Sequence, residues 1–512
     1  MRTLLILFIA AFVGSVQAQK IKFKVSNYKD TTIFLVKYVG KNLFYADTAQ
    51  LKNGIAEFNG SKQTGGILAL YINGQKPLDF IYNSEEVQIE VDLTDLFGSM
   101  IVKKSEENKV FLNYVRFITD KRTEVNKWSE ERAKLSPEDS KYKELTDRMD
   151  ATNKAVIDYQ KNLVATNPTK LIGKIVKMSL DVDVPEPPKD ANGKLIDSNF
   201  RFNYYRKHFW DNIDLRDDRL VNTPIFHQKL EYYFGKSMMI QHWDTVLNYA
   251  FAFCDTLNPK SKVFEYCVTH LTSSYQKSNI MGMDKVFVYM FDKYYCTNGP
   301  EGKPLATWVK PEKIAETCEK MPVQKRLVMG VKPPNLILRD TTDTQWKDFY
   351  SLKSEYTILY FWDPECGHCK KTTPKLETLY KQKFKDRNIE IFSVGKAVGE
   401  DFPKWKKFIK DNELTFINVG VTNTLFNDAS DKSNNQAKLH QLLENTTIES
   451  LNYQSTYDIF STPRVFVLDK DKKIIGKNLS ISQLEDMMDM LQGKKDLPKL
   501  FPPDPEEDEQ MH

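Results

Sequence analysis

The stretch Tyr356 to Lys371, YTILYFWDPECGHCKK, confines this chain more than any other. An unbroken apolar and aromatic run, Tyr356 to Trp362, reads as an apolar strand. Asp363-Pro364 breaks it, and CKKTTPKLETLYKQKF then carries the spacing of an amphipathic helix. Further strand candidates follow in IEIFSVG, LTFINVGV and RVFVLD, with helical segments between them. Strands alternating with helices require crossover connections, so residues 330–495 are expected to form an α/β domain.

Two of the chain's six cysteines, Cys366 and Cys369, sit at that strand-to-helix junction. Free backbone N–H groups and the positive end of the helix dipole stabilise a thiolate at a helix start. A lowered pKa would make Cys366 the nucleophile, and Cys369, one turn later, is within reach of its sulfur. A zinc site needs two more ligands at matching spacing, and no second Cys-x-x-Cys or neighbouring Cys/His pair exists. A structural staple remains the lesser alternative to a redox pair. No metal and no cofactor are expected.

Several positions then agree at once. Phe361-Trp362 ahead of the pair, Lys370 behind it, Pro374, the lead-in GVKPPNLILRDTT, and Thr462-Pro463 before RVFVLD make this region resemble the thioredoxin-fold envelope thiol:disulfide oxidoreductases related to peroxiredoxins and cytochrome-c-maturation proteins. The resemblance implies that Cys366 attacks and Cys369 resolves. It implies a cis peptide bond at Thr462-Pro463 facing the cysteines, with Trp362, Thr462 and Pro463 as the substrate-binding residues. Gly367 and His368 are the residues expected to tune the redox pair, because a histidine there can donate to the thiolate and favour the reduced form. The implied partners are protein disulfide or thiol substrates and an electron-donating thiol protein.

Departures from the family pattern matter equally. Tyr360 stands where thioredoxins usually keep a buried aspartate, and Thr372 where some envelope relatives keep a glutamate, so the route by which Cys369 loses its proton is open. Glu365 is one substitute, although a carboxylate at a helix start is more often a dipole partner. Leu359 and Asp363 occupy the positions where a peroxiredoxin needs proline and threonine, so peroxidase activity is not expected.

The chain begins with Arg2, an apolar run from Leu4 to Val13, and Val16-Gln17-Ala18. Residues 1–18 therefore read as a cleaved secretory signal peptide, and the protein as periplasmic. No cysteine follows the cut, which argues against a lipoprotein. Residues 19–110 are rich in short strand-like runs separated by NG turns, the pattern of an antiparallel β-domain. From 111 to 329 the period is helical, broken by a surface loop over 181–199, and the histidines there show no paired spacing. Both regions resemble the uncharacterised domains that precede such thioredoxin domains in Gram-negative envelope proteins. The whole is thus expected to be multidomain: β, then α-helical, then α/β.

A net charge of +4 with interspersed lysines and acids gives no sign of a nucleic-acid partner. Cys254, Cys267, Cys296 and Cys318 admit two structural disulfides in any of three pairings, buried thiols, or a second redox relay. A polar insertion, TNTLFNDASDKSNNQAKLHQLLENTTIESLNYQ, is expected to add a helix beside the cysteines, and the acidic tail 496–512 to be disordered. The rival to an enzyme is a binding or scaffold protein whose thioredoxin-like domain mainly docks partners.

Overall fold

A computed structural model describes residues 19–28, 31–72, 74–430 and 435–503. The signal-peptide reading of 1–18 and the end of the acidic tail, 504–512, lie outside them. The described residues gather into two compact units, one running to Ile240 and including Phe253–Cys267, the other comprising Gln241–Ala252 and the chain from Val268 on.

The first unit opens with eight strands: β1 (Lys20–Ser26), β2 (Thr31–Val39), β3 (Asn42–Leu51), β4 (Ile55–Asn59), β5 (Gly66–Tyr71), β6 (Leu78–Tyr82), β7 (Val87–Asp92) and β8 (Ile101–Lys104). They make two four-stranded sheets, ordered β4-β1-β7-β8 and β3-β2-β5-β6. Alternation drives the arrangement. In β1, Ile21, Phe23 and Val25 are buried while the intervening lysines face outward. The strands pair antiparallel except β1 with β7, which run parallel. The segment between those two crosses through the other sheet, which lets them align in the same direction.

Helices follow. Glu106–Arg132 starts at Ser105, whose hydroxyl accepts from Asn108 N–H at 3.0 Å. Buried Asn108 bonds both backbone groups of Ile81, at 2.8 and 2.7 Å, and ties this helix to β6. The helix Leu171–Ser179 has no side-chain cap of its own. Buried Glu107 supplies one from a distance, accepting from Leu171 N–H at 2.8 Å and Ile172 N–H at 2.9 Å. Residues 181–199 carry neither helix nor strand, as their composition predicts. No helix among the described residues is long and apolar enough to cross a membrane.

The second unit contains a seven-stranded sheet built from β9 (Ile337–Asp340), β10 (Trp346–Asp348), β11 (Tyr356–Trp362), β12 (Ile389–Gly395), β13 (Ile417–Gly420), β14 (Arg464–Leu468) and β15 (Ile474–Lys477). Their order is β10-β9-β13-β12-β11-β14-β15. β11, β12 and β13 are parallel, and β14 runs antiparallel to β11. β11 lies inside the sheet between β12 and β14 and is buried from Thr357 to Trp362, which explains its unbroken apolar run. Packed side chains cover both faces. Ile358, Tyr360, Leu376 and Met488 belong to one core cluster, and Leu359, Phe361, Phe392 and Phe466 to the other.

Of the four remaining cysteines, Cys296 and Cys318 form a disulfide across 22 residues with Cα atoms 5.5 Å apart. Cys254 and Cys267 are buried thiols. Neither structural alternative holds whole: one bridge forms, and the other pair stays in the apolar interior as small hydrophobes.

Candidate functional site: a thiol pair at the end of an interior strand

β11 delivers the chain to the site. After Trp362, the carboxylate of Asp363 accepts from Glu365 N–H at 2.8 Å, and its carbonyl accepts from Cys366 N–H at 3.1 Å, closing a turn. Cys366 is the N-cap of the helix Gly367–Leu379, and Lys370 N–H donates to its carbonyl at 3.0 Å. The first turn of that helix therefore points its free N–H groups at the Cys366 sulfur.

The two thiols have opposite environments. Cys366 is partly exposed, and its Sγ donates to the Thr462 carbonyl at 3.2 Å. Partial burial pushes its pKa up, but the N–H groups of Cys369 and His368 and the side chains of Thr462 and Cys369 outweigh it, so the thiol falls below its ordinary value. Cys369 is 0% exposed, and burial is the main reason its thiol is pushed up to about 12. Such a pair offers one ready thiolate and one proton-holding neighbour in contact with it.

The Thr462–Pro463 peptide bond is cis, and both residues are half-buried beside the cysteines. A cleft of about 260 Å³ opens there, bounded by Cys366, Asp363, Lys396, Tyr453, Phe460 and Thr462 among others. Trp362 forms its floor: the ring is 1% exposed and donates from Nε1 to Ser393 Oγ at 2.7 Å. Gly367 and His368 stand exposed at the helix start, with open space where a Gly367 side chain would be. His368 reaches Cys366 through its backbone N–H. A larger cavity of the same unit, about 810 Å³, shares no lining residue with the cleft that Cys366 lines.

The two departures seen in the sequence have plain structural counterparts. Tyr360 is fully buried and its hydroxyl hydrogen-bonds Thr373 Oγ1 at 2.8 Å, and Thr372 is buried as well, so neither position brings a carboxylate to Cys369. Glu365 is exposed and ion-paired with Lys404 at 3.3 Å and Lys370 at 3.6 Å. Asp363 and Lys396, 3.3 Å apart on the rim of the cleft, were invisible as a pair in the sequence. So were Tyr453 and Gln454, which the helix Tyr453–Thr456 of the polar insertion carries to the cleft wall. The only forewarning was that insertion's position, just before Thr462.

A parallel-centred sheet with a Cys-x-x-Cys at the N-terminus of a helix and a cis-proline opposite defines the thioredoxin class. Family comparison agrees: residues 354–474 match the thioredoxin-like model, residues 19–111 a domain of unknown function (DUF4369), and residues 145–321 another (DUF5106). The C-terminal domain belongs to the thioredoxin-like thiol:disulfide oxidoreductases, and the chain is an enzyme of that class carrying two further domains of unknown function. Among curated proteins it is similar to the thiol-disulfide oxidoreductase ResA of Bacillus thuringiensis subsp. konkukian, 26% identical over 154 residues, or 30% of this chain and 70% of that protein. It is similarly 26% identical over 171 residues to a ResA of Bacillus cereus, covering 33% of this chain and 80% of that one. A crystal structure of a domain of a possible thiol-disulfide isomerase from Cytophaga hutchinsonii aligns at 30% identity over 32% of this chain and 94% of that chain, with a TM-score of 0.24.

Proposed function

We propose that this enzyme exchanges disulfides on protein substrates in the cell envelope through Cys366-Gly367-His368-Cys369. Cys366 attacks a substrate disulfide as thiolate, forming a mixed disulfide, and Cys369 resolves it. The observation that carries this reading is the Cys366 sulfur, partly exposed at a helix N-terminus and 3.2 Å from the Thr462 carbonyl on the rim of an open cleft. A substrate strand laid along Thr462 and Pro463, above the Trp362 floor, would bring its own disulfide to that sulfur. Gly367 and His368 set the poise of the pair. The direction is reduction or isomerisation, with electrons from a separate thiol protein. Residues 1–18 act as an export signal, and the periplasm is the compartment.

Trapping tests the reading. Cys369→Ser should accumulate mixed disulfides between Cys366 and envelope proteins, visible as thiol-reversible adducts in non-reducing gels. Absence of adducts while Cys366 still reacts with iodoacetamide would remove its main support.

A further inference from the structure

Four aromatic residues line the thiol cleft: Phe361, Trp362, Tyr453 and Phe460. Three of them belong to the core. Phe361 and Trp362 are buried in β11, and Tyr453 is buried with its ring stacked on Phe361 at 6.0 Å. Phe460 is 75% exposed, more than any other large apolar side chain among the described residues of this unit. A lone exposed apolar residue on a surface needs no explanation. This one lines the reactive cleft and stands two residues before Thr462, whose carbonyl accepts from the Cys366 thiol.

The segment around it is fastened on both sides. Before it, Tyr457 is buried, its ring 4.9 Å from Phe361 and 5.6 Å from Phe466, and its hydroxyl donates to the Pro334 carbonyl. Asp458 follows at a positive φ of 52°, with its carboxylate accepting from Gln324 Nε2. Ile459 N–H donates to the Gln454 carbonyl at 2.8 Å, and its side chain packs on the core. After it, Pro463 leads into β14, which pairs with β11. The helix Pro311–Lys325 brings Gln324 to this segment, and with it Lys320, whose ammonium lies 4.9 Å from the centre of the Phe460 ring. Lys320 also pairs with Glu316 at 2.7 Å, a weak restraint because both groups are exposed. A cation over one face of the ring steadies it and leaves the other face open.

We propose that Phe460 is the specificity-determining residue of the cleft, selecting polypeptide substrates that carry an apolar side chain two residues from the cysteine under attack. The inference rests on the thiol-exchange reading above. An extended substrate strand advances about 3.3 Å per residue and turns every second side chain to the same face. Its cysteine must lie beside Thr462 to reach the Cys366 sulfur. The side chain that covers Phe460 therefore belongs to the residue two positions away. Closing it onto the open face of the ring removes apolar surface of both partners from water. A chain laid along Thr462 toward residue 460 meets this ring, so the occupant is the substrate itself.

Two pentapeptides test this on the reduced, full-length protein: Phe-Gly-Cys-Gly-Phe and Ser-Gly-Cys-Gly-Ser, each with thionitrobenzoate disulfide-bonded to its cysteine. The Cys366 thiolate attacks the peptide sulfur, the mixed disulfide forms, and thionitrobenzoate leaves with the electron pair; Cys369 then frees the peptide thiol. At limiting peptide, the wild type should release thionitrobenzoate about fivefold faster from the phenylalanine peptide, the size of one aromatic contact. Phe460→Ser should cut that preference below about twofold, whereas Phe460→Tyr, which keeps the ring, should retain it. Each variant is read as a ratio between two peptides, so a loss of folded protein or of thiol reactivity cancels. A preference that survives in Phe460→Ser overturns the proposal, and so does equal reaction of the two peptides with wild type. A wild-type protein that releases thionitrobenzoate from neither peptide sinks the thiol-exchange reading itself, and this inference with it.

Discussion

The cysteines of the redox site and those of the helical interior are the same side chain with opposite properties. Cys366 caps a helix, keeps part of its surface open and receives backbone N–H groups, so its thiol is easier to ionise than usual. Cys267 lies wholly buried, and burial, reinforced by the nearby Cys254, pushes its thiol well up. Compartment does not distinguish them. What does is the direction in which backbone dipoles point and whether water can reach the sulfur.

The largest expected difference between the two regions is in turnover. Cys366→Ala should reduce insulin disulfides no faster than dithiothreitol alone, while Cys267→Ala should keep full activity. Loss in both, or in neither, would break the comparison.

Alkylation sharpens it next. In the reduced native protein Cys366 should react with iodoacetamide with a pH midpoint below the ordinary thiol value of about 8.5, because its folded pKa is lowered. Cys254 and Cys267 should react only after unfolding in guanidinium, read by mass spectrometry of the modified peptides. Native labelling of Cys267 would show that its burial is not what separates it from Cys366.

A third contrast concerns the bonded pair. Cys296→Ser with Cys318→Ser removes a bridge that closes 22 residues, and the loop-entropy argument gives about 2–4 kcal/mol of lost stability. Thermal unfolding should register that loss, with insulin reduction unaltered below the transition.

The smallest effect concerns His368, which the sequence singles out through its ring but the structure connects to Cys366 through its amide. His368→Pro removes both donor and ring and should lower the reduction potential by at least about 30 mV, or ~1.4 kcal/mol for a two-electron couple. His368→Ala keeps the N–H. Redox titration against glutathione should find it closer to wild type, and equal shifts in the two variants would return the role to the imidazole.

Much of this was legible before any coordinates. The period change at the end of the β-rich region, the apolar run of β11 and the amphipathic helix after the cysteines follow from local spacing. The pairing of Cys296 with Cys318 was one of three possibilities, and only packing chose it. Sequence spacing likewise cannot foresee that Glu107 caps a helix beginning at Leu171, or that Asp363 meets Lys396 across the turn from β12. The polar insertion announced a helix but not which of its residues would face the cleft.

The sequence by itself determined the order of β-rich, helical and α/β regions, the redox pair and its place at a strand-to-helix junction. Those depend on hydrophobic period, turn residues and the close spacing of two cysteines, all of which act within one or two turns of chain. Tertiary structure alone decided which backbone and side-chain groups reach each thiol, which carboxylate shares the cleft with Cys366, and what walls that cleft. Proton affinity and access depend on groups brought together from distant positions, Cys366 with Thr462 and Asp363 with Lys396, and such distances are set only when the sheet closes.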